Sequence, residues 1–300
     1  MKDSYNSSNA DYLRKIKIQS VIRFIVCVII TIISLLPIYL MVINSTRSSG
    51  DIIINGLSLI PGTEFFENFR KLHDESIQNG SYTRAYNLLI GYGNSLLIAG
   101  LSTILTVFFS GMTAYGLTVY DFKLKKFATT FVLAVMMIPM QVVSTGFLQF
   151  MIQIKLQDSY IPLILPAIAS PTTVFFMLQY MKSSFPLDIV EAARIDGCGE
   201  FRTFLTIGLP ILKPAFAVQA IFAFVASWNN YYTPSMILLS GKLEQRTMPM
   251  MVASILSNDK LTDYGVNYLA VTLSIIPVVV IYLALSKFIV KGVALGAVKG

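Results

Sequence analysis

The chain contains few charged residues for its length. Asp, Glu, Lys and Arg make up 13% of its 300 residues, whereas soluble domains have about 25%. Hydrophobic residues make up 55% of the chain, and the mean hydropathy is +0.67. This composition excludes an ordinary soluble domain and indicates a protein that places much of its surface in lipid.

Residues that usually carry catalysis or bind metals are also scarce. The chain has one histidine, His73, and two cysteines, Cys27 and Cys198, so it lacks the Cys/His clusters that form zinc sites. It has no G-x-x-x-x-G-K-[ST] loop for nucleotide phosphates and no H-E-x-x-H or G-x-S-x-G motif. We therefore predict no metal, no cofactor and no enzymatic activity, and specifically no ATP hydrolysis by this chain.

The sequence instead has six apolar segments, each long enough to cross a bilayer as a helix of about 20 residues. They lie near residues 24–43, 94–120, 127–150, 161–181, 215–239 and 266–286, and none contains Asp, Glu, Lys or Arg. The first is too long for the apolar region of a signal peptide, and no A-x-A-like cleavage site follows it. We predict an all-α, polytopic membrane protein with six transmembrane helices.

The basic residues predict the orientation of these helices. With the N-terminus in the cytoplasm, the inner segments hold 15 Lys or Arg and 7 Asp or Glu, and the outer segments hold 8 and 9. Cytoplasmic loops carry such an excess of positive charge, so both termini are expected in the cytoplasm. Topology thereby explains the net charge of +7, and no nucleic acid partner is predicted.

Prolines interrupt several of the spans, for example at Pro139, Pro166, Pro171 and Pro277. A proline frees a backbone carbonyl, which in lipid needs a partner in the protein or in a water-lined cavity. Interrupted helices suit a gated pathway but also occur in static bundles, and the sequence leaves both open. Because the polar residues of the spans are uncharged, energy for transport is expected to come from elsewhere, and a neutral, hydroxyl-rich cargo is favoured.

The loop between the fourth and fifth spans has an unusual sequence, EAARIDGCGEFRTFLTIGLP, at residues 191–210. Its pattern predicts a short helix over Leu187–Ile195 and a turn at Asp196 and Gly197. Apolar residues then recur at near-helical spacing and predict a second, amphipathic helix. These residues are Phe201, Phe204, Leu205 and Ile207. Lipid headgroups, the bundle itself or a partner protein must cover their apolar face, and composition leaves the three open.

The same stretch resembles the EAA motif of ABC importer permeases, in which E-A-A is followed by a glycine after three residues, and later by a hydrophobic residue and L-P. The matching residues are Glu191, Ala192, Ala193, Gly197, Ile207, Leu209 and Pro210, and Asp196 before the glycine is typical of the carbohydrate branch. Residues 137–166, 227–240 and 291–300 are also similar to the maltose-permease type of sugar importer. The resemblance covers about residues 90–300.

The resemblance implies a type I ABC importer permease fold over residues 90–300. This permease domain would be preceded in the chain by a cytoplasmic tail at 1–20, a first transmembrane helix at 21–44 and an extracytoplasmic loop at 45–89. The implied partners are a second permease subunit, two copies of a cytoplasmic ATPase and an extracytoplasmic solute-binding protein, assembled in a bacterial plasma membrane around a carbohydrate substrate.

The resemblance also implies roles for individual residues. The EAA loop would be a coupling helix in a cleft of the ATPase, with Glu191 making polar contact there and Gly197 allowing the bend. The C-terminal tail would reach the interface of the ATPase pair through Ala297, Val298, Lys299 and Gly300. Within the fifth predicted span, a pathway or gate role competes with simple packing for Trp228, Asn229, Asn230 and Tyr231.

The predicted function is therefore the membrane-spanning permease subunit of an ATP-driven, binding-protein-dependent carbohydrate importer. The alternative is a stand-alone secondary transporter or channel for a small neutral solute. The uncharged spans and the exposed apolar loop argue against that alternative.

Overall fold

A computed structural model of the chain describes residues 2–78, 86–257 and 263–297. Over these residues all regular structure is helical and no strand is formed. This confirms the predicted all-α fold, which satisfies the backbone hydrogen bonds of each apolar run within the run itself.

The described part of the chain forms fourteen α-helices. They are α1 (Lys2–Asn44), α2 (Ser49–Asn55), α3 (Phe65–Gln78), α4 (Leu88–Val119), α5 (Lys125–Met136), α6 (Met140–Gln153), α7 (Ile161–Ile164), α8 (Pro171–Ser184), α9 (Leu187–Ile195), α10 (Glu200–Thr203), α11 (Leu209–Trp228), α12 (Tyr232–Ile237), α13 (Met248–Leu256) and α14 (Tyr264–Ala297). Leu165–Ile168 and Leu243–Gln245 form 3₁₀ turns, and Phe204–Gly208 forms a π-helical turn.

Five of the six predicted spans correspond to helical segments in the described residues that are long and apolar enough to cross a membrane. These segments are Lys15–Asn44, Leu88–Val119, Ile161–Ser184, Glu200–Trp228 and Tyr264–Ser286. The helix that contains the first span begins at Lys2, so the polar residues before this span are also helical.

The third predicted span, residues 127–150, is two helices rather than one. Helix α5 has 12 residues and α6 has 14, and Pro139 lies between them with the extended backbone angles φ −63° and ψ 130°. Proline has no N–H to continue the hydrogen bonds of α5, so α6 starts anew immediately after Pro139.

The predicted bounds of the fifth span, residues 215–239, are wrong. The helix begins at Glu200 and ends at Trp228, and α12 is a separate helix after it. The Asn230 side chain accepts a hydrogen bond from the Thr233 N–H (3.1 Å) and donates to the Thr233 hydroxyl (3.1 Å). This side chain stabilises a turn that hydropathy alone does not reveal.

The chain divides into two compact units, residues 1–72 with 261–273, and residues 73–260 with 274–300. In the second unit, α4 packs against α8 and α11 around a core of apolar side chains. Its members are Val107, Ala114, Tyr115, Leu117, Val174, Met177, Leu178, Met181, Phe185, Val190, Phe204, Leu212 and Ala215.

Helix α4 also carries a row of buried hydroxyls that supports the interrupted fourth span. Ser102 donates to the Leu163 carbonyl (3.3 Å), and Thr106 donates to the Ala167 carbonyl (3.0 Å). These acceptors lie where α7, the 3₁₀ turn and their prolines interrupt the regular helical pattern. Side-chain donors from a neighbouring helix thus supply hydrogen bonds to this irregular backbone.

The first unit contains a buried polar network at the end of α1. The Arg47 guanidinium contacts Asp51 (Nη2 to Oδ2, 2.6 Å) and donates to the Gly56 carbonyl (2.7 Å). The Asn68 amide donates to the carbonyls of Ser45 and Arg47, both at 2.9 Å. Asn68 is only 1% exposed, so each of these hydrogen bonds replaces one lost to water.

We predict that Gly265→Ala destabilises this network. A Cβ at Gly265 would lie 2.3 Å from the Arg47 carbonyl oxygen and 2.7 Å from Asn68 Nδ2, and overpacking of this kind costs about 1–3 kcal/mol. The measurement is thermal unfolding of the purified protein in detergent. Gly100→Ala is the control, because a Cβ there meets no atom within 4 Å and alanine favours a helix interior by about 1 kcal/mol. An equal effect of both changes would contradict the prediction.

Candidate functional site

The bend between α9 and α10 is formed where the sequence predicts it. The Gly197 N–H donates to the Arg194 carbonyl (3.0 Å), and the Cys198 N–H donates to the Ala193 carbonyl (2.9 Å). Gly197 has φ +75°, a conformation that residues with a Cβ adopt only with strain. The chain can therefore turn sharply after Asp196 because a glycine follows it.

Helix α9 has one buried face and one exposed face. Val190 and Ala193 are 1% and 7% exposed, and Val190 belongs to the core of the second unit. Glu191 and Ala192 are exposed, and Ile195 is 86% exposed. Because residues three apart lie on one side of a helix, Val190 and Ala193 anchor α9 to the bundle while its other side remains uncovered.

The second half of the loop is continuous with the fifth span. Glu200–Trp228 forms one helix, in which the Leu209 N–H donates to the Phe204 carbonyl, five residues back. This wide turn comes immediately before Pro210, which has no N–H to donate. Phe204 is 2% exposed whereas Phe201 is 60% exposed, so the bundle covers only part of the predicted apolar face.

The remaining residues of the E-A-A pattern differ in their exposure. Ile207 and Leu209 are half-buried, and Asp196 and Pro210 are exposed. Gly208, between the two apolar residues, packs closely against α4, since an added Cβ would lie 3.2 Å from the ring of Tyr115. The loop is therefore held to the bundle by its helix backbone as well as by side chains.

Three polar residues that the sequence did not single out meet beside the bend. Arg194 donates to both carboxylate oxygens of Glu200, with Nε to Oε1 at 2.8 Å and Nη2 to Oε2 at 3.3 Å. The Tyr120 hydroxyl donates to Glu200 Oε2 (2.8 Å). Burial raises the pKa of Tyr120 to about 12, and the hydrogen bond to Glu200 acts in the same direction. In the sequence, this contact is indicated only by Arg194 and Glu200, two residues of opposite charge on either side of the turn.

The four residues proposed for a pathway or gate lie in different environments. Trp228 is 2% exposed, donates from Nε1 to the Ser274 carbonyl (3.0 Å) and stacks on Phe224. Asn230 stabilises the start of α12, as described above. Asn229 is exposed and Tyr231 is 50% exposed. The contacts of Trp228 are those of a packing residue, whereas Asn229 and Tyr231 have surface free for other contacts.

The proposed tail contact falls mostly outside the residues that the structure describes. Ala297 is the last residue of α14, and Val298, Lys299 and Gly300 lie beyond the described part. Over the described residues, no group of three or more His, Cys, Asp and Glu residues is placed to hold a metal ion.

Residues 106–295 match the family described as binding-protein-dependent transport system inner membrane component. The chain belongs to this family. It is 36% identical over 277 residues to the arabinooligosaccharides transport system permease protein AraQ of Bacillus subtilis, covering 90% of this chain and 92% of AraQ. It is 27% identical to the lactose transport system permease protein LacG of Rhizobium radiobacter, covering 94% of this chain and 97% of LacG.

The fold is also similar to that of a solved chain from a bacterial ABC transporter involved in the import of the acidic polysaccharide alginate. The TM-score is 0.72 over 90% of this chain and 96% of the other, at 19% sequence identity. Family membership and fold agree that the chain is a multi-pass membrane permease subunit of a binding-protein-dependent transport system.

We predict that Trp228→Phe lowers the thermal stability of the protein without changing the affinity for transported solute. The change removes the hydrogen bond to Ser274, which is worth about 1 kcal/mol, and part of the stacking area on Phe224. Thermal unfolding and the concentration dependence of uptake are the measurements. Tyr231→Phe, at an exposed ring, is the matched control for stability. A changed uptake affinity for Trp228→Phe at unchanged stability would instead make Trp228 a solute contact.

Proposed function

We propose that this chain is one of two membrane subunits of an ATP-driven importer of a carbohydrate, most specifically an oligosaccharide. A separate cytoplasmic ATPase pair hydrolyses ATP and docks on the α9 loop, and an extracytoplasmic binding protein delivers the solute. Both termini lie in the cytoplasm of a bacterial cell, as the distribution of basic residues predicts, and the last four residues contact the ATPase pair.

The observation that carries this proposal is the two-faced anchoring of α9. Its inner residues, Val190 and Ala193, are buried, and Val190 belongs to the core of the second unit. Its outer side bears Glu191 and the uncovered apolar side chain of Ile195. A short helix that is rigidly attached on one side and bare on the other transmits a push from a partner directly to the bundle.

The exposed side of the loop has the chemistry of a protein interface. Leu187, Ile189 and Phe201 are 45%, 44% and 60% exposed, and the acidic residues Asp188 and Glu191 lie among them. Apolar anchors within a polar rim characterise specific interfaces. The docking surface of the ATPase is therefore expected to be an apolar cleft with basic or hydrogen-bond-donating groups at its edge.

The substrate class is supported by composition and by the relatives. The predicted spans contain no charged residue, and the partly exposed groups near the end of α11 are the neutral Asn229, Tyr231 and Tyr232. Amides and phenols hydrogen-bond to sugar hydroxyls, and aromatic rings stack on sugar faces. The relatives named above are permeases for arabinooligosaccharides and lactose, so arabinose-containing and galactose-containing oligosaccharides are the first solutes to test.

The proposal is tested by purifying the tagged chain from its native cell in mild detergent and identifying co-purifying proteins by mass spectrometry. We expect an ATPase, a second permease and a solute-binding protein, and the binding protein can then be screened against oligosaccharides. If the chain purifies alone and moves solute in liposomes without ATP, the assignment to an ATP-driven complex is wrong.

We predict that Glu191→Lys and Gly197→Pro each abolish uptake while the protein remains in the membrane. The first reverses the charge at the exposed face of α9. The second cannot adopt φ +75° and removes the N–H that donates to Arg194. Uptake of the sugar selected by the binding protein is measured beside the amount of membrane protein.

Two matched changes control for charge and for backbone alteration. Asp121→Lys reverses an exposed charge in another loop. Gly199→Ala alters a glycine in the same bend with φ −68° and no atom within 4 Å of an added Cβ. Both are expected to leave uptake near the wild-type level. Normal uptake with Glu191→Lys or Gly197→Pro would refute the coupling role of the loop.

A further inference from the structure

Arg194, Glu200 and Tyr120 join three separate elements at one point. Arg194 lies in the last turn of α9, Glu200 is the first residue of α10, and Tyr120 is the C-terminal cap of α4. Glu200 accepts two hydrogen bonds from Arg194 and one from Tyr120. The Arg194 guanidinium carbon also lies 5.6 Å from the centre of the Tyr120 ring, within the range of a cation–π contact.

These contacts have little value as a source of stability. The side chains of Arg194 and Glu200 are 38% and 45% exposed, and ion pairs so open to water contribute little to folding. Their geometry is nevertheless specific, because a two-pronged Arg–carboxylate pair fixes the relative orientation of both groups. The three contacts on the Glu200 carboxylate therefore fix the relative orientation of α9, α10 and α4 more than they stabilise the fold.

The end of α4 that receives these contacts is itself well supported. The Lys125 ammonium donates to the Tyr120 carbonyl (2.8 Å) and the Thr118 carbonyl (3.4 Å). Tyr115, one turn earlier, is 2% exposed and packs against Tyr120, Phe185 and Phe204. A displacement of Tyr120 would therefore be resisted by the packed core of the second unit.

We propose that Arg194, Glu200 and Tyr120 form a clamp that sets the angle between α9 and α10 and fixes it to α4. Val190 and Ala193 tie α9 to the core, but without the clamp the bend at Gly197 lets the angle between α9 and α10 change, so that α10 does not follow a displacement of α9. With the clamp closed, the displacement passes to α4 and to the long helix Glu200–Trp228. The three are positioning residues for coupling, and this inference rests on the proposed docking of an ATPase on α9.

The clamp is tested in nanodiscs containing the co-purified complex of the chain with its partner subunits. A reporter cysteine is introduced by Asn229→Cys, at the far end of α11, in a Cys27→Ser, Cys198→Ser background. The rate at which a polar maleimide labels this cysteine is measured without nucleotide and after trapping with ATP and vanadate. The probe is ATP alone, so no knowledge of the transported solute is needed.

We expect trapping to change the labelling rate in the complex with the native clamp. Glu200→Gln, Arg194→Gln and Tyr120→Phe should each reduce that change by about 2- to 30-fold, the range of coupling energies carried by single residues. The double change Arg194→Glu with Glu200→Arg recreates the ion pair and should recover most of the response. Lys123→Gln, which removes an exposed cation near Tyr120, is the matched control and should have no effect.

The outcomes separate the clamp from the coupling role of the loop. If the clamp variants respond fully while Glu191→Lys does not, the clamp is refuted and the docking proposal stands. If Glu191→Lys responds fully, or the complex with the native clamp does not respond, coupling through α9 fails and the clamp fails with it. If the clamp variants assemble poorly or unfold at lower temperature, and the charge exchange recovers nothing, the residues are structural and the proposal is overturned.

Discussion

Backbone hydrogen bonding inside the lipid is the constraint on which the rest of this structure depends. The fourth span is interrupted by prolines, and a carbonyl left without a donor in hydrocarbon costs several kcal/mol. Helix α4 resolves this with Ser102 and Thr106, whose hydroxyls donate to the carbonyls of Leu163 and Ala167. An irregular segment can therefore exist at membrane depth only because a regular helix lies beside it with donors on the correct face.

The same helix organises the candidate coupling site, because small residues let its neighbours approach closely. The ring of Phe216 lies directly on Gly111, where a Cβ would be 2.3 Å from it. Tyr115, one turn further along α4, packs against Phe204 and against the backbone at Gly208. The position of the loop is thus a consequence of how α4 and α11 pack, and a change in that packing would move the loop as well.

Sequence patterns were most informative where a single residue type determines the backbone conformation. The turn at Gly197 and the anchored helix before it follow from local chemistry, and the all-α membrane fold follows from six apolar runs. The division of the third span at Pro139 and the end of the fifth at Trp228 depend on single residues that end a helix. Hydropathy averaged over a long window does not detect such residues. The contact of Arg194 with Glu200 and Tyr120 was not predictable, because Tyr120 lies 80 residues from Glu200 in sequence and only the packing of α4 brings them together.

The polar contacts of the proposed clamp lie at the surface of the protein rather than in its core. A buried ion pair that opens leaves an uncompensated charge in a region of low dielectric constant, so its opening is strongly opposed. The side chains of Arg194 and Glu200 are instead 38% and 45% exposed, so water can replace each lost contact. The core, with Tyr115, Phe204 and Val190 almost fully buried, is closely packed and resists deformation. A rigid core with an adjustable connection at its surface can receive mechanical work without losing its packing.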